Sequence, residues 1–326
     1  MKFESRTLDV GYPIYGAGFI SDAMLAVAGG GGEGAHGIPN KLSAVTIDFS
    51  ADEPLKVQSE VKLSDEEDSA MSLAAGGDTV LLGVNQSSKS ITRGENKHVR
   101  MYSYTKDQWV FGLALQVSES KDSSEYQKHT VVSLDGVYAA ICMSDESGIV
   151  TFLKSTERGF TKTYEYKAES DVKDISFGPD GKSVAIVTSK TLTIVAASIG
   201  KPTFKLENFG KDSLTKVRFI DDEMLLVGAS AKNNGGVLLF QISIPQESVL
   251  RRLVVSKKVR GLTSMAVSLD EGLVAFSGSD SSVFLLDVTT LRTIHLFKTV
   301  HAFAITKVVF SPSGQYLAST SAANTI

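Results

Sequence analysis

Apolar and polar residues alternate along most of the chain. Runs such as KLSAVTIDF (41–49), TVLLGV (79–84), SVAIVTS (183–189), TLTIVAA (191–197), VLLFQISI (237–244) and SVFLLDV (282–288) are rich in leucine and β-branched residues. Each stops at Gly, Asp, Asn, Ser or Pro. A period of two closed off by turn residues predicts short strands. No stretch repeats apolar positions at i, i+3, i+4 and i+7 over three turns, so very little helix is expected.

One phrase recurs: an alternating strand, a tight acidic or glycine turn, and a second apolar strand. It reads VVSLDGVYAAICMS (131–144), DISFGPDGKSVAIVTS (174–189), VRFIDDEMLLVGAS (217–230), MAVSLDEGLVAFSGS (265–279) and VVFSPSGQYLASTS (308–321). The turn residues Asp135, Asp180, Asp221, Asp270 and Ser313 lie 41 to 49 apart. Two looser copies, GAGFISDAMLAVAG (16–29) and MSLAAGGDTVLLGV (71–84), precede them. Seven copies at a period of about 40 to 57 residues predict an all-β fold, a seven-bladed β-propeller of four-stranded sheets. The whole of 1–326 then forms a single domain, because each blade leaves two apolar faces that only its neighbours can bury.

The last copies resemble degenerate WD repeats. TVHAFAITKVVFSPSGQYLASTSAANTI carries His301 and a VVFSPSG turn, but Trp109 is the only tryptophan and the Trp-Asp pair is absent. FESRTLDV (3–10) alternates and is expected to close the seventh blade, whose third strand is only beginning where the chain ends at Ile326. The chain reads as cut short there.

Composition narrows the function. Apolar residues are 42% and charged residues 21%, as in a globular protein with a sizeable core, and the net charge is −4. A nucleic-acid partner is not expected from so acidic a balance. Cys142 is the only cysteine and sits in the apolar run VYAAICM, so it reads as a buried small hydrophobe in a reducing compartment. The N-terminus lacks the apolar core of a signal peptide, and no run of about 18 apolar residues is present. The five histidines (36, 98, 129, 295, 301) show no metal-ligand spacing, no nucleophile elbow occurs, and His301 is expected to bond within its own repeat.

VAGGGGEGAHGIPNKL (27–42) is the outlying stretch. Gly32 to Gly37 spell G-x-G-x-x-G, but Ile38-Pro39-Asn40-Lys41 and a strand follow, so there is no helix N-terminus to hold a pyrophosphate. The loop joins the second and third strands of blade one, where two to five residues would suffice, and a long connection on a rigid scaffold points to function rather than to a slack linker. Its glycines permit carbonyls to turn inward, an arrangement suited to potassium. Asn40 offers an amide, and Lys41 reads as the start of the next strand. LSDEEDS (63–69), which alone would pass for a solvated turn, and NQSSKSITRGENKHV (85–99) should flank the loop on one polar face suited to a protein partner.

VGYPIYGAGFI, VAGGGGEGAHGIPNKL, ITRGENKHVRMYSY and HAFAITKVVFSPSGQYLASTSAANTI resemble the yeast-type endoplasmic-reticulum guanine-nucleotide-exchange factors for the small GTPase that starts COPII coat assembly. The similarity runs from about residue 9 to the end. It implies a seven-bladed propeller on the cytosolic face of the endoplasmic reticulum, with a membrane-spanning helix just beyond the end of this chain. It implies that residues 29–42 form the exchange loop, that potassium holds it, and that Asn40 is the position most tied to activity. The ion would lie within Gly29, Gly30, Gly31, Gly32, Gly34, Gly37 and Asn40, mostly on carbonyls. Ala35-His36 are departures at the loop tip.

A protein that binds the nucleotide-free GTPase more tightly must weaken nucleotide binding by the same factor. A thousandfold acceleration of release needs about 4 kcal/mol of preference for the open transition state. Ile38, Pro39 and Asn40 are the expected wedge. Glu33 is expected either to repel phosphate, to attract the phosphate-binding lysine of the GTPase, or to be a plain exposed charge. The alternative function is a non-catalytic propeller scaffold for the same GTPase or for coat proteins, with a propeller hydrolase more remote.

Overall fold

The computed structural model describes residues 3–34, 36–231 and 236–326. Ala35, at the loop tip, lies outside them. Strand follows strand in antiparallel meanders, as the alternation requires. The first sheet is Ile14–Ser21, Met24–Gly29, Lys41–Ile47 and Leu55–Lys62. The second is Ala70–Gly76, Thr79–Val84, Val99–Thr105 and Gln108–Leu115. Four more four-stranded sheets begin at Gln127–Val132, Asp174–Phe177, Ser213–Phe219 and Leu262–Ser268. The last sheet has two strands, Ile305–Phe310 and Leu317–Ser321.

The expectation of seven four-stranded blades is therefore corrected: the propeller has six. The recurring phrase corresponds to the first two strands of a blade, and it does form a hairpin seven times. Only six of those hairpins are followed by a third and a fourth strand. Beyond Ser321 the pairing is one isolated bridge, Asp9 to Thr325, flanked by Leu8 N donating to Ile326 O (3.2 Å) and Val10 N to Asn324 O (2.9 Å). FESRTLDV thus meets the chain end without forming a strand of its own.

The first strands contact one another in order around a ring, and Ile305–Phe310 contacts both Leu262–Ser268 and Ile14–Ser21. Apolar residues cluster between neighbouring sheets, so the core is distributed around the ring. The gap between the first and second sheets holds Ala28, Leu42, Leu73, Leu82 and Trp109. The gap beside the two-stranded sheet is thin, with Val283, Ile305 and Val308. A cavity of 390 Å³ lies there, lined by Phe49, Leu285, Phe297 and Tyr316 among others.

Among the described residues the helix content is a single short element, Ser88–Thr92. Ser87 caps it, its hydroxyl accepting from Ser90 N at 3.3 Å. No described helix is long and apolar enough to cross a membrane. Cys142 is buried within the third sheet, and burial pushes its thiol up to about 12. The turn acids serve their own hairpins: Asp135 accepts from Val137 N (3.0 Å) and Asp180 from Lys182 N (2.8 Å). His301 bonds Thr325 Oγ1 (2.6 Å) and Ser319 Oγ (2.8 Å) within its own repeat.

Candidate functional site: the glycine loop and its supports

The loop leaves the first sheet at Gly29 and returns at Lys41, which pairs with Gly29 as the next strand begins. Its entry demands glycine. A Cβ on Gly29 would stand 1.9 Å from Pro13 O, and one on Gly30, at φ +148°, would stand 2.1 Å from Asn40 Oδ1. Any side chain there would expel Asn40 from its seat.

Asn40 is 2% exposed. Gly32 N donates to Asn40 Oδ1 (3.0 Å), while Asn40 Nδ2 donates to Gly32 O (3.0 Å) and to Glu67 O (2.8 Å). One amide thus ties the start of the loop, its end and the acidic run together. Asn40 faces inward. Of the other two expected wedge residues, Pro39 is partly buried and Ile38 is exposed at 41%.

Glu33 does not stand free either. Its carboxylate accepts from Ser88 N (2.9 and 3.0 Å) and from Ser88 Oγ, at the first turn of the short helix. Amides at a helix start have no partner within the helix, and an anion satisfies them. The helix N-terminus missing from the chain after Gly37 is supplied by the second blade, and a carboxylate fills it. Glu33→Ala is expected to speed hydrogen exchange at the Ser88 amide by about tenfold or more, since a hydrogen bond to a charged group contributes roughly 1.5–3 kcal/mol. Unchanged protection at Ser88 would show that Glu33 does not hold this contact in solution.

The three segments expected on one face are bonded to each other. Gly34 N donates to Asp65 O (2.9 Å), and Asp68 N donates to Asn85 O (3.0 Å). Arg100, whose side chain is 7% exposed, pairs with Glu67. His98 is buried; its Nδ1 accepts from Val117 N (3.2 Å), and burial, aided by Arg100, lowers its pKa to about 4. Its neutral ring braces the loop that carries the short helix.

Two side-chain oxygens border Gly30–Gly32, those of Asn40 and Asp68. Asn40 Oδ1 accepts one hydrogen bond and keeps a second lone pair. A Cβ on Gly32 would lie 3.3 Å from Asp68 Oδ1, so that carboxylate borders the same place. Of the other glycines expected around an ion, Gly34 turns toward Asp65 and His36, and Gly37 stands in open space. Among the described residues no three of His, Cys, Asp and Glu gather as a metal site.

The chain is 35% identical over 332 residues to the guanine nucleotide-exchange factor SEC12 of Candida glabrata, covering 100% of this chain and 72% of that protein. It belongs to the SEC12 guanine nucleotide-exchange factor family. Within that family it is also 36% identical over 330 residues to SED4 of Candida glabrata and 32% identical to SED4 of Saccharomyces cerevisiae. It spans 32% and 31% of those two longer proteins. Residues 291–326 match the WD domain, G-beta repeat family. The crystal structure of Saccharomyces cerevisiae Sqt1 shares the fold at a TM-score of 0.64, with 15% identity, 97% of this chain and 82% of that one covered. The names of these relatives make the chain an exchange factor rather than an enzyme of covalent chemistry.

Proposed function

We propose that this chain accelerates GDP release from the small GTPase of the COPII coat, using the loop 29–42 as the element that enters the GTPase. The observation that carries this reading is the bracing of the loop. Asn40, Glu33 and Gly34 tie it to two neighbouring segments, yet Ile38 remains exposed at its outer end. A stiff loop keeps its shape while the flexible switch segments of a GTPase give way, and this shifts the partner toward its open, nucleotide-free form. Ile38 and Pro39 make the contact; Asn40 is a positioning residue that sets their angle from below.

Carbonyls of Gly30–Gly32, with Asn40 Oδ1 and the Asp68 carboxylate beside them, would hold the potassium ion. An ion held there would tie these oxygens to one point and stiffen the loop further. Family membership supports exchange activity, and the reading extends it to a place of work on the cytosolic face of the endoplasmic reticulum, at the start of vesicle budding.

The test is release of labelled GDP from the purified GTPase with and without this protein. Stimulated release supports exchange. Tight binding without any stimulation would instead favour a scaffold. Replacing potassium by lithium at equal ionic strength is expected to slow stimulated release several-fold while leaving the circular dichroism and Tm of the propeller unchanged. Equal rates in the two salts would remove potassium from the account.

A further inference from the structure

The end of the propeller that carries the glycine loop exposes one further large apolar side chain. Loops between second and third strands and connections between blades share this end. Elsewhere among the described residues, exposed large apolar side chains lie on outer strands, as Phe111 does, or on turns at the opposite end, as Leu134 does. On the loop's end only Ile38, at 41%, and Phe303, at 65%, are exposed. Phe303 lies in the connection between Thr293–Phe297 and Ile305–Phe310.

Its surroundings are held by hydrogen bonds. The Phe303 carbonyl accepts from Ser281 Oγ (2.9 Å) and from Ser321 Oγ (3.3 Å), so the backbone is fixed while the ring stands in solvent. Val300 N donates to Ser281 O (3.0 Å) and Ser279 N donates to Gly261 O (2.9 Å). These bonds join residues 257–261, 279–282 and 298–304 into one rim. The rim reaches the root of the glycine loop: Thr306 Oγ1 donates to Ile14 O (2.7 Å), Ile14 pairs with Gly29, and Gly30 N donates to Pro13 O (3.0 Å).

The same rim carries Lys257, Lys258, Arg260 and Lys298, all exposed, and none of their side chains bonds or pairs with a described residue. The one carboxylate in these segments is Asp280, which serves its own turn by accepting from Ser282 N (3.2 Å). Four cations thus surround an exposed phenyl ring in a chain whose net charge is −4. The acidic run 63–69 lies on the other side of the glycine loop, so this end of the propeller is basic on one flank and acidic on the other.

We propose that Phe303 and the cations of this rim form a second docking surface for the GTPase, meeting an acidic, apolar-edged region of it. The inference rests on the exchange reading above. A stable protein–protein interface takes about 20–30 residues from each side, whereas Gly31, His36, Gly37 and Ile38 are the exposed described residues of the loop. A partner gripped at the loop must therefore rest on more of this end. The exposed aromatic is the anchor available to it, and the two oppositely charged flanks orient a complementary partner before contact.

Surface plasmon resonance with the purified GTPase, run beside the release assay, tests this surface. Phe303→Ala is expected to weaken binding and raise the half-saturating GTPase concentration about tenfold. Its maximal release rate and its Tm are expected to match the wild type, unlike the maximal rate of Asn40→Ala. Lys258→Glu/Arg260→Glu is expected to slow association about tenfold at low ionic strength, the difference closing at high salt. Wild-type affinity and association rate in both variants overturn the proposal. If those variants instead lose only their sedimentation with phosphatidylserine vesicles, the rim is a lipid contact and the proposal falls. Should wild-type protein bind the GTPase without stimulating release, the exchange reading fails, while the affinities of the two variants still decide this one. No binding by the wild type overturns both.

Discussion

Asn40→Ala is expected to bring GDP release back to within about tenfold of the spontaneous rate of the GTPase, with the propeller still folded. The substitution removes three hydrogen bonds to Gly32 and Glu67 and leaves their main-chain groups unpaired in a buried seat. Leaving a buried polar group unsatisfied costs roughly 1–3 kcal/mol. That is a modest share of fold stability and should lower Tm by only several degrees, at about 2–4 °C per kcal/mol for a chain of this class. It is a large share of the about 4 kcal/mol that a thousandfold stimulation requires. The loop can therefore lose its working shape without the rest of the chain noticing. The two readouts separate the roles: stimulated release falls by most of its span while Tm drops by only several degrees. Wild-type release by Asn40→Ala would sink the loop reading.

Asp174→Ala has the largest expected effect on stability. Asp174 is buried and accepts from Arg218 and from the Val217 amide, linking the fourth and fifth blades. Removing the carboxylate leaves Arg218, Lys216 and Lys307 facing each other without it. Removing one partner of a buried pair costs about 3–5 kcal/mol, so Tm is expected to fall on the order of 10 °C. Burial alone would raise the pKa of Asp174, but Arg218, Lys216 and His129 together overrule it and hold the carboxyl well below its ordinary value of 3.8. A carboxyl depressed in the folded state contributes stability above its unfolded pKa and loses it as pH falls toward the folded one. The gap in Tm between wild type and variant should thus be full at neutral pH and narrow below about pH 4. A variant within 1 °C of wild type at pH 7 would show that the cations around Asp174 are balanced by other means.

Much of the fold was legible because strands announce themselves locally. A period of two, a β-branched bias and acidic turns are readable within a dozen residues, and the hairpins at 131–144 and 174–189 form where that pattern places them. The blade count was less legible. Outer strands such as Leu55–Lys62 are polar on one side and lack the recurring phrase, so counting inner hairpins does not count complete sheets. The short helix at Ser88–Thr92 spans under two turns and cannot produce a helical period. Only the Ser at its cap was available as a signal.

For the site, sequence alone located the loop, excluded a dinucleotide from the missing helix, and picked Asn40, Glu33 and the two flanking segments. The loop's place and its flanking segments follow from composition and chain order, whereas its role in exchange and the weight on Asn40 came from the family resemblance. That Asn40 faces inward, that Glu33 is spent on the Ser88 amide of the next blade, and that Asp174 meets Arg218 of the following blade were decided by tertiary structure alone. Each depends on a partner 8 to 55 positions away along the chain, brought near by the folding of the loop or by the packing of neighbouring blades. Hydrogen bonds and charge act over a few ångströms of space, and no local pattern in a chain encodes which distant residue will arrive there.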